Sequence, residues 1–234
     1  MRLATAGNDI KLWDSSDYSL QDAFNPHASD VACVDWSRDG SSLASSSKSG
    51  EKLFCTRIDG ATPTYREVPV AEGQTCVAYN SLSRYLLSGG RSGVVHIYDL
   101  KTSELKKRYE GHKSEVTCLQ FNHNDLYVAA GASSGAIILF NVVTGVASAP
   151  LTSPNTQAVR RLQYSHIKRS LLACVSDDGA TSLWDVNARQ QLHRFAGSHH
   201  APVTDLCFSS VNDRLLISSG LDSRVLLYDV IDKK

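Results

Sequence analysis

Leu183-Trp184-Asp185 puts an aliphatic, an aromatic and an acidic residue in a row, and the chain returns to that pattern elsewhere. Leu12-Trp13-Asp14, Ile97-Tyr98-Asp99, Leu139-Phe140-Asn141 and Leu227-Tyr228-Asp229 are further copies. Their last residues fall at 14, 99, 141, 185 and 229, so the later steps are 42, 44 and 44 residues and the first, 85, is a double step. Phe54-Cys55 stands at the missing place as a degenerate copy. Self-similarity at one period along a whole chain marks a repeated supersecondary unit rather than a single irregular core.

Outward from each signature, a second constant phase lies 20 to 25 residues upstream. Val31–Trp36, Gln74–Tyr79, Val116–Phe121, Val159–Tyr164 and Val203–Phe208 are short, rich in aliphatic residues, and end in an aromatic followed by Ser or Asn. They read as one strand written five times. Their apolar residues do not alternate strictly, as suits a strand packed on both faces. A second run follows (Ser42–Ser46, Tyr85–Ser88, Tyr127–Ala130, Leu171–Val175, Leu215–Ser219), then the signature strand, then a polar outer strand such as Glu104–Tyr109 or Gln190–Phe195. We call these strands A, B, C and D. No segment carries helical apolar spacing, and the prolines sit mostly between repeats, where no ladder needs their missing N–H. The period and the signature are similar to those of WD40 repeats, so the fold expected is all-β, a WD40 β-propeller with four strands per blade.

The 234 residues read as one domain, 1–234, with repeats at about 1–25, 26–70, 71–110, 111–152, 153–196 and 197–234. The first begins at strand B and the last stops after strand C, which makes six repeats or part-repeats of a seven-bladed ring. The reading favoured is a piece of a longer propeller; the other is a ring closed on fewer blades. With 24 basic and 24 acidic residues, no global field draws the chain to nucleic acid or an anionic membrane. No leader or membrane span is expected. The six cysteines include no Cys-x-x-Cys and suit a reducing compartment, where they serve as small core residues.

His199, Ser218, Asp222 and Tyr228 offer the ingredients of a hydrolase triad. The bland reading is preferred: a buried tetrad that satisfies polar groups within one blade, with Tyr228 in place of Trp. His199-His200 with His27 or His112 lacks the spacing of a metal site, and Gly89-Gly90-Arg91-Ser92-Gly93 lacks the Lys and helix of a phosphate loop. No metal, cofactor or small-molecule substrate is expected, and the chain is read as not an enzyme. Arg38, Arg84, Lys168 and Arg169 lie in equivalent A–B loops and are the candidate partner-binding residues, a broken basic belt on one rim; the alternative rim offers Lys48, Arg91, His200 and Arg224.

Asp9–Asp14, Phe24-Asn25-Pro26-His27, Val175–Gly179, Leu183–Asn187, Cys207–Asn212 and Gly220–Asp229 together resemble the N-terminal propeller of the centrosomal WD-repeat family that targets the γ-tubulin ring complex. The likeness runs over essentially the whole chain. It implies a non-catalytic scaffold or adaptor that helps bring the complex to centrosomes and spindle microtubules for microtubule nucleation. The partners it implies are proteins, γ-tubulin ring complex or centrosomal and spindle components, in the cytoplasm. The helical region by which such proteins hold the γ-tubulin complex has no counterpart in these residues. The same repeats without the resemblance would suit a generic recognition module, such as a substrate receptor of a ubiquitin ligase.

Overall fold

The computed structural model describes residues 2–50, 52–60, 62–151, 157–212 and 214–233. They form six antiparallel sheets, each a meander of strands consecutive in sequence, with no helix among the described residues. The chain divides into two compact units, Met1–Arg108 and Tyr109–Lys234.

The first unit holds the sheets β1(Arg2–Ala6)–β2(Ile10–Asp14)–β3(Leu20–Phe24), β4(Val31–Trp36)–β5(Ser42–Ser47)–β6(Lys52–Arg57)–β7(Thr64–Pro69) and β8(Gln74–Tyr79)–β9(Tyr85–Gly90)–β10(Val95–Asp99)–β11(Glu104–Tyr109). Ile10, Val31 and Leu43 fill the layer between its first two sheets. Ala44, Leu53, Val68, Val77, Leu86 and Tyr98 fill that between the second and third.

The second unit holds β12(Val116–Phe121)–β13(Tyr127–Ala132)–β14(Ile137–Asn141), β15(Val159–Tyr164)–β16(Leu171–Ser176)–β17(Thr181–Asp185)–β18(Gln190–Phe195) and β19(Val203–Phe208)–β20(Leu215–Gly220)–β21(Val225–Asp229). Leu139, Leu162, Tyr164, Leu172 and Trp184 pack between its first two sheets, and Leu183, Phe195, Val203, Phe208 and Tyr228 between the last two. Each such fully buried side chain contributes roughly 1.5–3 kcal/mol through removal from water.

Two polar devices recur along the A strands. Each A–B ladder slips register after its first residue, so one residue bulges: Ala32, Thr75, Thr117, Arg160 and Thr204 in turn. Where the bulged residue is Thr, its hydroxyl reaches the strand-B carbonyl beside it, from Thr75 to Gly89, Thr117 to Gly131 and Thr204 to Ser219, at 3.0 to 3.1 Å, and Thr117 shares its proton with the Val159 carbonyl of the next sheet. The bulge leaves that acceptor short of a partner, and the Thr supplies one. The second device joins neighbouring sheets. The side-chain oxygens of Asp35, Gln120 and Gln163 accept the backbone N–H of Tyr79, Tyr164 and Phe208, each at 2.7 Å.

The register corrects one expectation. In the other five repeats the signature aromatic stands opposite the second residue of strand B, as Tyr98 opposite Leu86 or Trp184 opposite Leu172. In the second repeat Leu43 faces Thr56. Thr56-Arg57, not Phe54-Cys55, therefore occupies the signature place. The sequence misled because an aromatic two residues early mimics the pattern. Phe54 instead packs edge-on against His27, with ring centroids 4.8 Å apart.

The outer strand also fails in the fourth repeat. After β14 the described residues show the isolated bridges Ile137–Leu151 and Phe140–Ala147 and no named strand. Pro150 has no N–H to give a ladder there. Nor are all cysteines core residues: all six are free, but Cys33 is half-buried and Cys207 exposed.

Candidate functional site

His199 precedes β19 by four residues, Ser218 lies in β20, Asp222 in the β20–β21 turn and Tyr228 in β21. The hairpin register brings the four together. His199 Nδ1 lies 2.9 and 3.1 Å from the two carboxylate oxygens of Asp222, and Nε2 lies 2.7 Å from Ser218 Oγ. Ser218 Oγ is in turn 3.2 Å from the Tyr228 hydroxyl. With Nδ1–H donating to the carboxylate, Nε2 accepts the Ser218 hydroxyl, and the tautomer is set. Burial pushes the Asp222 carboxyl upward. Hydrogen bonds from His199 and from the N–H groups of His200 and Arg224 outweigh this and hold it at about 2.

The contacts are those of a nucleophile, a base and an orienting acid. The exposure is not, since Ser218 and His199 are only 1% and 3% exposed. A nucleophile closed off from solvent cannot meet a substrate.

Other repeats carry fragments of this arrangement. His27 Nε2 lies 2.8 Å from Ser45 Oγ, the register equivalent of Ser218, with no carboxylate among the described residues at its other nitrogen. In the fourth repeat that place is Ala130, and His112 Nε2 lies 3.1 Å from the Ala130 carbonyl oxygen. The fifth repeat keeps the acid. Asp178 is held by Ser176 at 2.5 Å and by Arg194 from strand D at 2.6 Å. Neither Ser45 nor Arg194 was singled out from sequence. Counting from the Val that opens strand A would have found Ser45. Arg194 comes from a strand with no polar signature.

The four basic candidates are exposed and lie in A–B turns: Arg38 between β4 and β5, Arg84 between β8 and β9, and Lys168 and Arg169 between β15 and β16. Arg38 and Arg84 belong to one unit, Lys168 and Arg169 to the other. The Arg38 N–H donates to Ser83 Oγ at 2.8 Å, so the first two turns touch. Arg84 reaches Asp99 at 3.4 Å and lies 5.2 Å from the centre of the Tyr85 ring. Lys106, not anticipated, covers the same ring at 4.0 Å.

The family model described as "Nucleolar protein 10-like, N-terminal domain", a β-propeller, matches residues 47–188, and "WD domain, G-beta repeat" matches 18–51 and 189–229. The chain belongs to this family of WD-repeat β-propeller domains. Across its whole length it is 44% identical to "Protein NEDD1" of Bos taurus and 42% identical to that of Homo sapiens. It spans about a third, 36%, of each of those relatives. Among solved structures, a chain of "Crystal Structure of Mitotic Checkpoint Complex" superposes with a TM-score of 0.86 at 22% identity, covering 97% of this chain and 72% of that one. At that identity the match speaks for the fold alone.

Proposed function

We propose that this WD-repeat domain is the attachment part of a non-catalytic adaptor that helps bring the γ-tubulin ring complex to centrosomes and spindle microtubules. The observation that carries the reading is the 42–44% identity to Protein NEDD1 of three mammals over the full 234 residues, together with the centrosomal family resemblance of the repeats. The burial of the one Ser–His–Asp set supports a role without chemistry. In this reading His199, Ser218, Asp222 and Tyr228 brace the last repeat from inside. Arg38, Arg84, Lys168 and Arg169 meet an acidic protein partner from the A–B turns, where side chains are free of packing duties.

The test is recovery of γ-tubulin complex components and microtubules on the immobilised chain at low and moderate salt. The four basic residues reversed to Glu serve as the comparison. Recovery should fall in the reversed chain and weaken with salt. Equal recovery by both chains removes the belt, and no recovery by either removes the adaptor reading.

A further inference from the structure

A cleft of about 590 Å³ opens in the second unit between the sheets β12–β14 and β15–β18. Its floor is apolar. Leu139 and Tyr164 are 7% and 6% exposed, and the half-buried Val186 packs against the same core. Tyr127 and Val146 stand at its mouth, 43% and 64% exposed.

The backbone along one wall is already satisfied. Asn141 N–H donates to Val146 O at 2.9 Å, Ser148 N–H to Leu139 O at 2.8 Å, and Leu151 N–H to Ile137 O at 2.8 Å. The cleft is therefore not waiting for an added strand. What it offers is side chains.

Two of those side chains are arginines, Arg169 and Arg189, and the described lining includes no carboxylate. Most arginines elsewhere are engaged, as Arg57 with Asp59, Arg84 with Asp99, Arg160 with Asp177, Arg194 with Asp178 and Arg214 with Asp229. Neither Arg169 nor Arg189 has an ion pair or side-chain hydrogen bond among the described residues. Arg189 sits at φ 53°, in the left-handed region, at the turn position that Gly145 fills with φ 78° in the preceding sheet and that Tyr18, Ser103 and Lys233 fill in other repeats.

We propose that this cleft binds an acidic peptide segment of a partner protein. One bulky apolar side chain of the segment seats on Leu139, Tyr164 and Val186, while flanking carboxylates pair with Arg169 and Arg189. Guanidinium groups suit this task, because their fork matches a carboxylate with two parallel hydrogen bonds. An apolar anchor ringed by charge pairs is also how small interfaces concentrate their affinity. The inference rests on the adaptor reading only in taking the ligand to be part of a protein.

Three synthetic peptides are titrated into the ¹⁵N-labelled 234-residue chain. One alternates Asp and Glu around a central Phe, one has Lys in place of every acid, and one has Ser in place of Phe. The acidic Phe peptide should shift the amides of Val146, Asn187 and Arg189, with the other two at least tenfold weaker. Ala147→Trp, which fills the mouth from an exposed position, and Arg189→Gly should each weaken binding at least tenfold. Arg189→Gly should not lower the melting temperature, because glycine relieves the turn.

Shifts absent from the cleft, equal shifts with the Lys or Ser peptide, or unchanged binding in both variants would overturn the assignment. Recruitment of the same chain to spindle microtubules is measured in parallel. Lost recruitment with intact peptide binding sinks the adaptor reading and leaves the cleft. Absent peptide binding with intact recruitment sinks the cleft alone.

Discussion

His199 and His27 occupy the same place in two repeats, four residues before strand A, and each sets Nε2 against a buried serine. They differ at the other nitrogen. His199 Nδ1 meets Asp222, whereas His27 has the edge of Phe54 against its ring and, among the described residues, no acid beside it. One ring is tied to a carboxylate and the other is held in an apolar setting. Burial pushes His27 down to about 4, with its bond to Ser45 only partly opposing. One sequence position thus carries different partners in two repeats. A histidine in a repeat cannot be assigned a role without its partner at the next turn.

The largest effect expected from breaking the comparison is in His199→Leu. It takes one partner from a serine hydroxyl and one from a carboxylate at once, leaving Ser218 to Tyr228 and Asp222 to two backbone N–H groups, and should cost roughly 2–3 kcal/mol in urea unfolding. His27→Leu strands only Ser45 and should cost about 1 kcal/mol. Equal losses in the two variants would show that Asp222 contributes nothing beyond its serine-side neighbour.

The second effect is on pH dependence. His27 binds its proton less readily folded than unfolded, so acidification favours the unfolded chain. Stability is untouched above about pH 6.5 and falls as the pH drops toward 4, by up to roughly 3 kcal/mol for a shift of this size. His112 and His96 are also lowered, chiefly by burial, and act in the same direction. His27→Gln should flatten the melting temperature between pH 6.5 and 4. An unaltered slope would place the acid sensitivity elsewhere.

A smaller loss is expected where the acid has a different partner. Arg194→Met removes the cation from Asp178, whose carboxyl its hydrogen bonds hold below the ordinary range despite burial. The loss should be about 1–2 kcal/mol, because Ser176 and the Ala180 N–H still hold the acid. The smallest effect has the opposite sign. Thr56 is fully buried, and its hydroxyl has no hydrogen-bond partner among the described residues. Thr56→Val keeps the shape, removes the stranded hydroxyl, and should stabilise by about 1 kcal/mol. A destabilised variant would mean that the hydroxyl is satisfied.

The sequence makes the A strands legible to the residue, because each opens on an aliphatic residue or Gln and closes on an aromatic. The B strands are legible except for one or two residues at their ends. The irregular alternation along strand A has a second cause that the sequence does not announce. The bulge reverses which face a side chain meets, so Thr75 and Thr117 break the period along their strands. The last-repeat residues His199, Ser218, Asp222 and Tyr228 are legible because the hairpin repeats at fixed spacing. The cleft is not, because β14, two A–B turns and the β17–β18 turn all line it, and only the packing of two sheets brings them together.

The meander order of every sheet also has a kinetic consequence. Each ladder joins strands adjacent in sequence across a short turn, so closing it costs little chain entropy and can occur within microseconds. The Thr hydroxyl at the bulge rewards only one alignment of a hairpin, since a slip by one residue carries it away from its carbonyl. Proofreading of strand alignment is therefore available within single hairpins, before any sheet has found its neighbour. Folding of such a chain should be limited by the docking of sheets already formed, so substitutions in the apolar layers should slow folding more than substitutions in the turns.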